Sequence, residues 1–207
     1  AKLHGFDVVA NERMAVADTD VTSQLNKMKA AGADTIFVWT QGTHLGQVIR
    51  SMEKIDYFPR VYSSWAADNI TFYDAAGKTL AEKPIFMRTM VEATTPGQKA
   101  LFERLKGKLA APTAFAFSAH GYDATHVVAA AMRQAGTTTD GVKIREALES
   151  LKEPVVGVMK TYNPPFTREN HEGLSAADFV FVRWSNGKLV RVDDAVTASL
   201  TPADFKR

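Results

Sequence analysis

The chain has 207 residues, of which 45% are hydrophobic and 23% charged, a balance typical of a globular protein with one large or two small domains. The net charge is +2 and the basic residues are spread along the chain, which argues against a nucleic-acid surface, because such a surface concentrates basic residues on one face. The sequence has no cysteine, which excludes disulfides, thiolate nucleophiles and zinc–cysteine sites, and no apolar run approaches the ~20 residues that span a bilayer.

The first part of the chain is predicted to alternate strands with helices. Ala1 to Gly5 resembles the last turn of a helix closed by a glycine cap, and a helix without a start suggests a truncated or processed chain. The predicted strands are 6–11, 35–39 and 60–64, and the predicted helices are 21–32, 43–54 and 69–76. The run 35–39 is nearly all apolar, as expected of a strand buried on both faces. This alternation favours a parallel α/β sheet.

The second part of the chain is richer in helix. A long apolar helix, entered by an aromatic-rich turn, is predicted through Ser118–Met132 to Gly136. The other predicted helices are 98–109 and 140–151, and the predicted strands are 85–87, 155–162, 179–184 and 188–192. Ser185-Asn-Gly187 predicts a tight hairpin turn between the last two strands.

Several segments, taken in order, resemble a known family. These segments are Phe37-Val-Trp-Thr-Gln-Gly42, Gly42-Thr-His-Leu-Gly46, Tyr122-Asp-Ala124 and Asp140-Gly-Val-Lys-Ile-Arg-Glu-Ala-Leu148. In this order and spacing they are similar to the later part of type 1 periplasmic solute-binding proteins of the branched-chain amino acid ABC transporter family, the Leu/Ile/Val-binding-protein-like group. The similarity covers nearly the whole chain, although no single motif is specific.

The resemblance implies an α/β fold of two lobes, each with a parallel sheet flanked by helices, joined by crossing strands and holding ligand between them. Residues 1–89 would then be the second ligand-binding lobe, incomplete at its start. Residues 90–177 would be the C-terminal portion of the first lobe, and 178–207 a return hairpin and tail on the second lobe. The N-terminal part of such a protein has no counterpart in this sequence.

The resemblance also implies a function. The chain would be the extracytoplasmic solute-binding component of an ABC importer, closing around a small carboxylate ligand and docking to a membrane permease. It would be periplasmic, or lipid-anchored outside the membrane of a Gram-positive cell. We expect no catalytic residue, no metal, no cofactor, no nucleic-acid partner and no membrane insertion.

Candidate ligand-binding residues lie where predicted strands lead into helices, since clefts of open parallel sheets form there. The turn after strand 35–39 contributes Trp39, Gln41, Gly42, Thr43 and His44. Its helix N-terminus presents backbone amides that suit a carboxylate. The alternative is that Thr43 merely caps the helix and Gln41 is solvated.

Aromatic residues supply the other candidate contacts. Trp65 stands where the family's amino-acid binders commonly present an acidic residue to the ligand's ammonium. An indole stacks on aromatic rings but forms no ion pair, so Trp65 favours an aromatic or apolar carboxylate over an amino acid, unless it is ordinary packing. Phe117 or Tyr122 could form an opposite wall, and Phe115, which alternates with Phe117, is expected in the core.

Two alternatives remain open from the sequence. An α/β enzyme could use His44, His120 and Asp123 in proton transfer, although no GxSxG, HExxH, GxGxxG or Walker motif is present. His120 and His126 lie too far apart around a helix to share a metal ion. A regulatory ligand-sensing domain of the same fold is the second alternative.

Overall fold

The computed structural model describes residues 5–192 and Ser199. These form two compact units: unit 1 comprises residues 5–91, 180–192 and Ser199, and unit 2 comprises residues 92–179. The assignment of the chain to lobes stays a prediction. The helix turn predicted before Gly5 and the tail beyond residue 192, apart from Ser199, lie outside the described residues.

Unit 1 is built on a five-stranded sheet. Its strands are β1 Thr35–Val38, β2 Arg60–Ser63, β3 Ile85–Arg88, β6 Val180–Ser185 and β7 Lys188–Arg191, in the spatial order β1-β2-β3-β6-β7. β1, β2 and β3 are parallel, as predicted, whereas β6 and β7 run antiparallel. The tight turn at Asn186 and Gly187, both with positive φ, accounts for the last pair, because a two-residue hairpin joins only antiparallel strands. The sheet is therefore mixed.

Three α-helices accompany this sheet, close to their predicted positions. They are α1 Thr22–Ala30, α2 Gly42–Lys54 and α3 Ile70–Ala76, with short 3₁₀ helices at Trp65–Asp68 and Leu80–Glu82. Asp20 accepts a hydrogen bond from the Thr22 amide at 2.8 Å, so a carboxylate oxygen satisfies one of the amides at the start of α1. The apolar core of unit 1 lies between helices and one sheet face and includes Leu25, Ile36, Leu45, Ile49, Met52, Val61, Phe72, Phe86, Val182 and Trp184.

Two sequence-based predictions about unit 1 are wrong. β1 is not buried on both faces: Ile36 is 5% exposed but its neighbour Phe37 is 74% exposed, stacking on Tyr62 with ring centroids 5.5 Å apart. Successive side chains of a strand point to opposite faces, and the core helices cover only one of them. Residues 6–11 form no strand, because an apolar run becomes one only where a neighbouring strand pairs with it.

Unit 2 is mainly helical. Its helices are α4 Pro96–Leu105, α5 Phe115–Ala135 and α6 Gly141–Leu148, and its strands are β4 Val155–Val156 and β5 Thr161–Tyr162. α5 ends at Gly136 in the left-handed region, as the sequence predicted. The single strand predicted over 155–162 is instead two short antiparallel strands, and the helix predicted to reach residue 109 ends at Leu105. Val127, Leu151 and Tyr162 form one buried apolar cluster of this unit.

The packing of α2 on α3 in unit 1 leads to a first prediction. A Cβ on Gly46 would lie 2.5 Å from the Ala75 Cβ and 2.9 Å from the Ala76 amide nitrogen. Because backbone cannot move aside easily, we expect Gly46→Ala to lower the free energy of unfolding by about 1–3 kcal/mol. Tryptophan emission during urea unfolding measures this, since Trp39, Trp65 and Trp184 all lie in unit 1.

The matched control is Gly121→Ala in α5, where a new Cβ meets no atom within 4 Å. Its unfolding is followed by circular dichroism at 222 nm, because residues 92–179 contain no tryptophan. In open space the change from glycine to alanine favours a helix by up to about 1 kcal/mol. A Gly46→Ala chain as stable as the parent would contradict the close packing of α2 on α3.

Candidate functional site

Three loops of unit 1 follow the carboxyl ends of neighbouring parallel strands. They are residues 39–41 after β1, 64–69 after β2 and 89–91 after β3. The register pairs Val38 with Ser63, and the Ser63 hydroxyl donates to the Val38 carbonyl at 2.9 Å, so the first two loops begin side by side. Ligands of open α/β sheets bind at this edge. The sheet thus places the loop of Trp39 and Gln41 next to the loop of Trp65.

The first loop leads into α2 through Gln41. Gln41 is the N-cap residue, and its extended backbone lets its carbonyl accept from the Leu45 amide at 2.8 Å. Within the described residues, no side chain caps α2, and Thr43 is an exposed residue of the first turn. The alternative that Thr43 caps the helix is therefore wrong, because Gln41 occupies that position. The first-turn amides keep their capacity to bind an anion.

Trp39 and Gly42 have opposite environments in this loop. The Trp39 side chain is 78% exposed, whereas Gly42 is buried. A Cβ on Gly42 would lie 2.8 Å from the Thr71 hydroxyl and 3.0 Å from the Ala66 carbonyl. The start of α2 therefore rests directly on the second loop, and only glycine fits at this contact.

His44 is tied to a different part of unit 1. Its Nε2 lies 2.9 Å from the Val16 carbonyl oxygen, a distance at which a protonated Nε2 donates a hydrogen bond. The ring thereby holds the segment before α1 against the start of α2. A ligand contact by His44 stays a prediction.

The second loop is a 3₁₀ helix, Trp65–Asp68, which the sequence analysis missed. Ser64 caps it by accepting the Ala66 amide at 3.3 Å, and Trp65 is 40% exposed. The Trp184 indole donates to the Ala67 carbonyl at 2.8 Å in the core. The hydrogen bond from Trp184 therefore holds the turn that carries Trp65 to the core of unit 1.

A buried ion pair ends this turn. Arg88 Nη1 lies 3.2 Å from Asp68 Oδ2, and both side chains are 2% exposed. Burial raises the pKa of Asp68 to about 6, against the opposing attraction of the Arg88 guanidinium, and burial lowers the pKa of Arg88. The sequence analysis missed this pair, since Asp68 and Arg88 are brought together only by the adjacency of β2 and β3.

The predicted aromatic wall residues belong to unit 2. Phe115 is buried and meets the Phe102 ring edge-to-face at 5.2 Å, whereas Phe117 is 43% exposed, so Phe115 is the core residue of the two. Tyr122 is half-buried, and its ring lies 4.4 Å from the His126 ring. A ligand contact by Phe117 or Tyr122 stays a prediction.

Asp123, which the enzymatic alternative assigned to proton transfer, has a structural role in unit 2. Its buried carboxylate accepts the amides of Val158 at 2.6 Å and Met159 at 2.8 Å, and the Tyr162 hydroxyl at 3.1 Å. The adjacent Asp123 charge and burial both raise the pKa of Tyr162, burial most. This carboxylate holds the turn between β4 and β5.

Unit 2 also contains an open cavity of about 460 Å³ within residues 160–177. Tyr162, Phe166, Asn170 and Ser175 are among its lining residues, and none of the predicted site residues lines it. Among the described residues no group of three or more His, Asp or Glu side chains could hold a metal ion.

Comparison with known proteins identifies the family. The sequence pattern of the family described as periplasmic binding protein matches residues 1–188. The chain belongs to the periplasmic binding protein family. Its mixed sheet flanked by helices is the fold of type 1 periplasmic binding proteins. Within residues 5–192, no helix of this periplasmic binding protein is long and apolar enough to cross a membrane.

Several relatives are similar to this periplasmic binding protein. Leu/Ile/Val-binding protein homolog 3 of Brucella melitensis is 26% identical over 191 residues, 91% of this chain and 49% of the relative. An extracellular ligand-binding receptor from Rhodopseudomonas palustris superimposes with a TM-score of 0.77 at 25% identity, over 93% of this chain and 57% of the receptor. A branched-chain amino acid transporter substrate binding protein from Streptococcus pneumoniae, in complex with isoleucine, superimposes with a TM-score of 0.63 at 19% identity, over 86% of this chain and 51% of that protein. The chain spans about half the length of the curated relatives it matches.

Proposed function

We propose that this chain is part of the extracytoplasmic solute-binding component of an ABC importer, that it works with a membrane permease and that it catalyses no reaction. The observation that carries this proposal is membership of the periplasmic binding protein family over residues 1–188. The names of the relatives, which are Leu/Ile/Val-binding proteins, support transport of a small solute. A periplasmic location, or a lipid anchor outside a Gram-positive membrane, is part of the same proposal.

The start of α2 supports a carboxylate as the ligand group. The amides of Gly42, Thr43 and His44 lie in the first turn of a 13-residue helix, where the helix dipole is positive. Gln41 leaves these amides without a side-chain cap among the described residues. The exposed Gln41 amide and Thr43 hydroxyl add two further groups that can donate to a carboxylate.

The two exposed indoles support an aromatic body for that carboxylate. Trp39 and Trp65 follow the adjacent strands β1 and β2 at the same sheet edge. Asp68, the acidic residue of the second loop, is buried and paired with Arg88, so its carboxylate is already used within the protein. A ligand ammonium therefore has no counter-ion in this loop, whereas an aromatic ring has two indoles on which to stack. We infer that an aromatic carboxylate is the ligand.

A branched-chain amino acid is the second candidate ligand. It is favoured by the names of the Leu/Ile/Val-binding relatives and by the isoleucine in the Streptococcus pneumoniae complex. Indoles also contact aliphatic side chains, so Trp39 and Trp65 would form an apolar wall for such a ligand.

Calorimetric titration of the chain with 4-hydroxybenzoate and with L-isoleucine tests the proposal. We expect 4-hydroxybenzoate to bind, to quench tryptophan emission and to be recovered chemically unchanged. Trp65→Ala should weaken its binding about tenfold, close to 1.4 kcal/mol, because a stacking surface is lost. Trp65→Phe is the matched control and should retain most of the affinity.

Each contrary outcome removes a different part of the proposal. Binding of L-isoleucine without binding of 4-hydroxybenzoate would replace the aromatic ligand by the amino acid. Chemical conversion of either compound, followed by NMR, would support the enzymatic alternative. Equal affinity of the parent and the Trp65→Ala chain would remove Trp65 from the site.

A further inference from the structure

The turn that presents Trp65 is held more firmly than an exposed loop usually is. On one side, the Trp184 indole donates to the Ala67 carbonyl at 2.8 Å within the core. On the other side, Asp68 pairs with Arg88 at 3.2 Å. Ala67 and Asp68 are both buried, whereas Trp65 reaches solvent on the same turn. The backbone that sets the direction of the Trp65 side chain is therefore fixed from two sides.

The Arg88 end of this ion pair is itself fixed. Arg88 is the last residue of β3, and its Nε donates to the Met90 carbonyl. Phe86 and Val182 pair in the antiparallel register of β3 with β6, so the strand that carries Arg88 is a central strand of the sheet. Arg88 thus links the Trp65 turn both to the sheet and to the segment that leaves unit 1 after Val91.

Stability alone does not explain a charged pair at this position. Removing two charges from water carries a penalty that their attraction rarely exceeds, and replacing such a pair by apolar residues of similar size is often neutral or stabilising. Asp68 Oδ1 has no hydrogen-bond partner in the part of the chain that the structure describes, which adds to the cost. What a charged pair provides is directional: it allows one arrangement of the two groups, and apolar contacts allow many.

We propose that Asp68 and Arg88 are positioning residues, which hold the Trp65 turn in the orientation that receives the ligand. Neither side chain contacts the ligand in this proposal, since both are 2% exposed. The inference rests on the proposed function for its ligand readout, but the orientation of Trp65 can be measured without ligand.

The first measurement is ¹⁹F NMR of the chain labelled with 5-fluorotryptophan. The three tryptophans give three signals. The signals of Trp39 and Trp65 are identified by their disappearance in Trp39→Phe and in Trp65→Phe. In the double variant Asp68→Leu with Arg88→Met, we expect the Trp65 signal to broaden or split and the Trp39 signal to keep its position. The matched control is Asp20→Asn, which breaks the exposed pair with Lys54 and should leave the Trp65 signal unchanged.

The second measurement separates orientation from stability. Because apolar side chains of similar size replace two buried charges, the double variant should unfold at a urea midpoint close to that of the parent chain. Its Kd for 4-hydroxybenzoate should nevertheless rise at least fivefold. If the double variant does not fold, Asp68→Asn, which keeps the shape of the side chain, carries the ¹⁹F and Kd measurements, at a lower urea midpoint because Arg88 loses its buried partner. Arg88→Lys, which keeps the charge, should recover part of the parent affinity.

The outcomes are distinct. A folded double variant with the parent Trp65 signal and the parent Kd would overturn the positioning role. A parent chain that binds neither 4-hydroxybenzoate nor L-isoleucine would overturn the proposed function, while the ¹⁹F signal would still decide whether the pair orients Trp65.

Discussion

Replacing Gly157 with alanine is expected to destabilise unit 2 by about 3–4 kcal/mol. A Cβ at this position would lie 2.2 Å from Oδ2 and 2.4 Å from Cγ of Asp123, far inside van der Waals contact. The Asp123 carboxylate has nowhere to retreat, because it is buried and holds the Val158 and Met159 amides. The substitution therefore combines overpacking with the loss of hydrogen bonds to a buried charged acceptor.

Circular dichroism at 222 nm during urea unfolding measures this effect, because residues 92–179 contain no tryptophan and include the 21-residue helix α5. Hydrogen exchange should also accelerate at Val158 and Met159. The control is Gly97→Ala in α4, where the nearest atom to the new Cβ is a Val158 methyl carbon at 3.8 Å. A Gly157→Ala chain with the parent urea midpoint would show that Asp123 is not held as described.

Asp123→Ala should destabilise unit 2 by a similar amount for the complementary reason. It leaves the Val158 and Met159 amides without their buried acceptor, and each unsatisfied group costs about 1–3 kcal/mol. In the double variant Asp123→Ala with Gly157→Ala, the loss of unfolding free energy should be smaller than the sum of the two single losses, because the clash disappears with the carboxylate. An additive double variant would contradict a shared site.

The second large expected effect is a pH dependence of stability that originates at Asp68. Burial raises the pKa of Asp68 from 3.8 to about 6 in the folded chain. Between these values the unfolded chain loses a proton that the folded chain keeps. Protonated Asp68 therefore stabilises the folded chain fully below pH 4, and this stabilisation is lost as the pH rises through 6. At 1.36 kcal/mol per pKa unit, the change amounts to about 3 kcal/mol.

The Asp68→Asn variant makes this contribution measurable. Asparagine cannot ionise, so the free energy of unfolding of the parent minus that of the variant should fall as the pH rises from 4 to 7. Tryptophan emission in urea gives both values. The same difference for Asp20→Asn should stay nearly constant between pH 4 and 7, since hydrogen bonds from Lys54 and Thr22 lower the pKa of Asp20 and its contribution is lost only as the pH falls below 4. A difference for Asp68→Asn that does not change with pH would contradict the raised pKa.

The local structure of the candidate site could be predicted from the sequence to a large extent. Periodicity and turn residues located α2, α3, α5, β2 and β3 to within a few residues, and the apolar run before Trp39 located β1. The positions of Trp39, Gln41 and Trp65 at carboxyl ends of parallel strands followed from this alternation alone. Such features depend on residues near one another in the chain, whose pattern the sequence shows directly.

Features that depend on distant residues could not be predicted in this way. The burial pattern of β1 depends on which face the helices cover, and residues 6–11 form no strand because pairing requires a neighbour. The 3₁₀ helix at Trp65–Asp68 has no periodic signal. Likewise, Asp123 looked like a candidate for proton transfer until the turn at Gly157 supplied it with backbone donors from 35 residues away.

By itself, then, the sequence determined the family, the α/β class, the order of the elements and the loops that carry Trp39 and Trp65. Only the tertiary structure decided which charged groups are used within the protein. Asp68 forms an ion pair with Arg88, and Asp123 accepts backbone hydrogen bonds from the turn between β4 and β5. The physical reason is that a carboxylate's role depends on the donors and the solvent around it, and folding brings those donors from other parts of the chain.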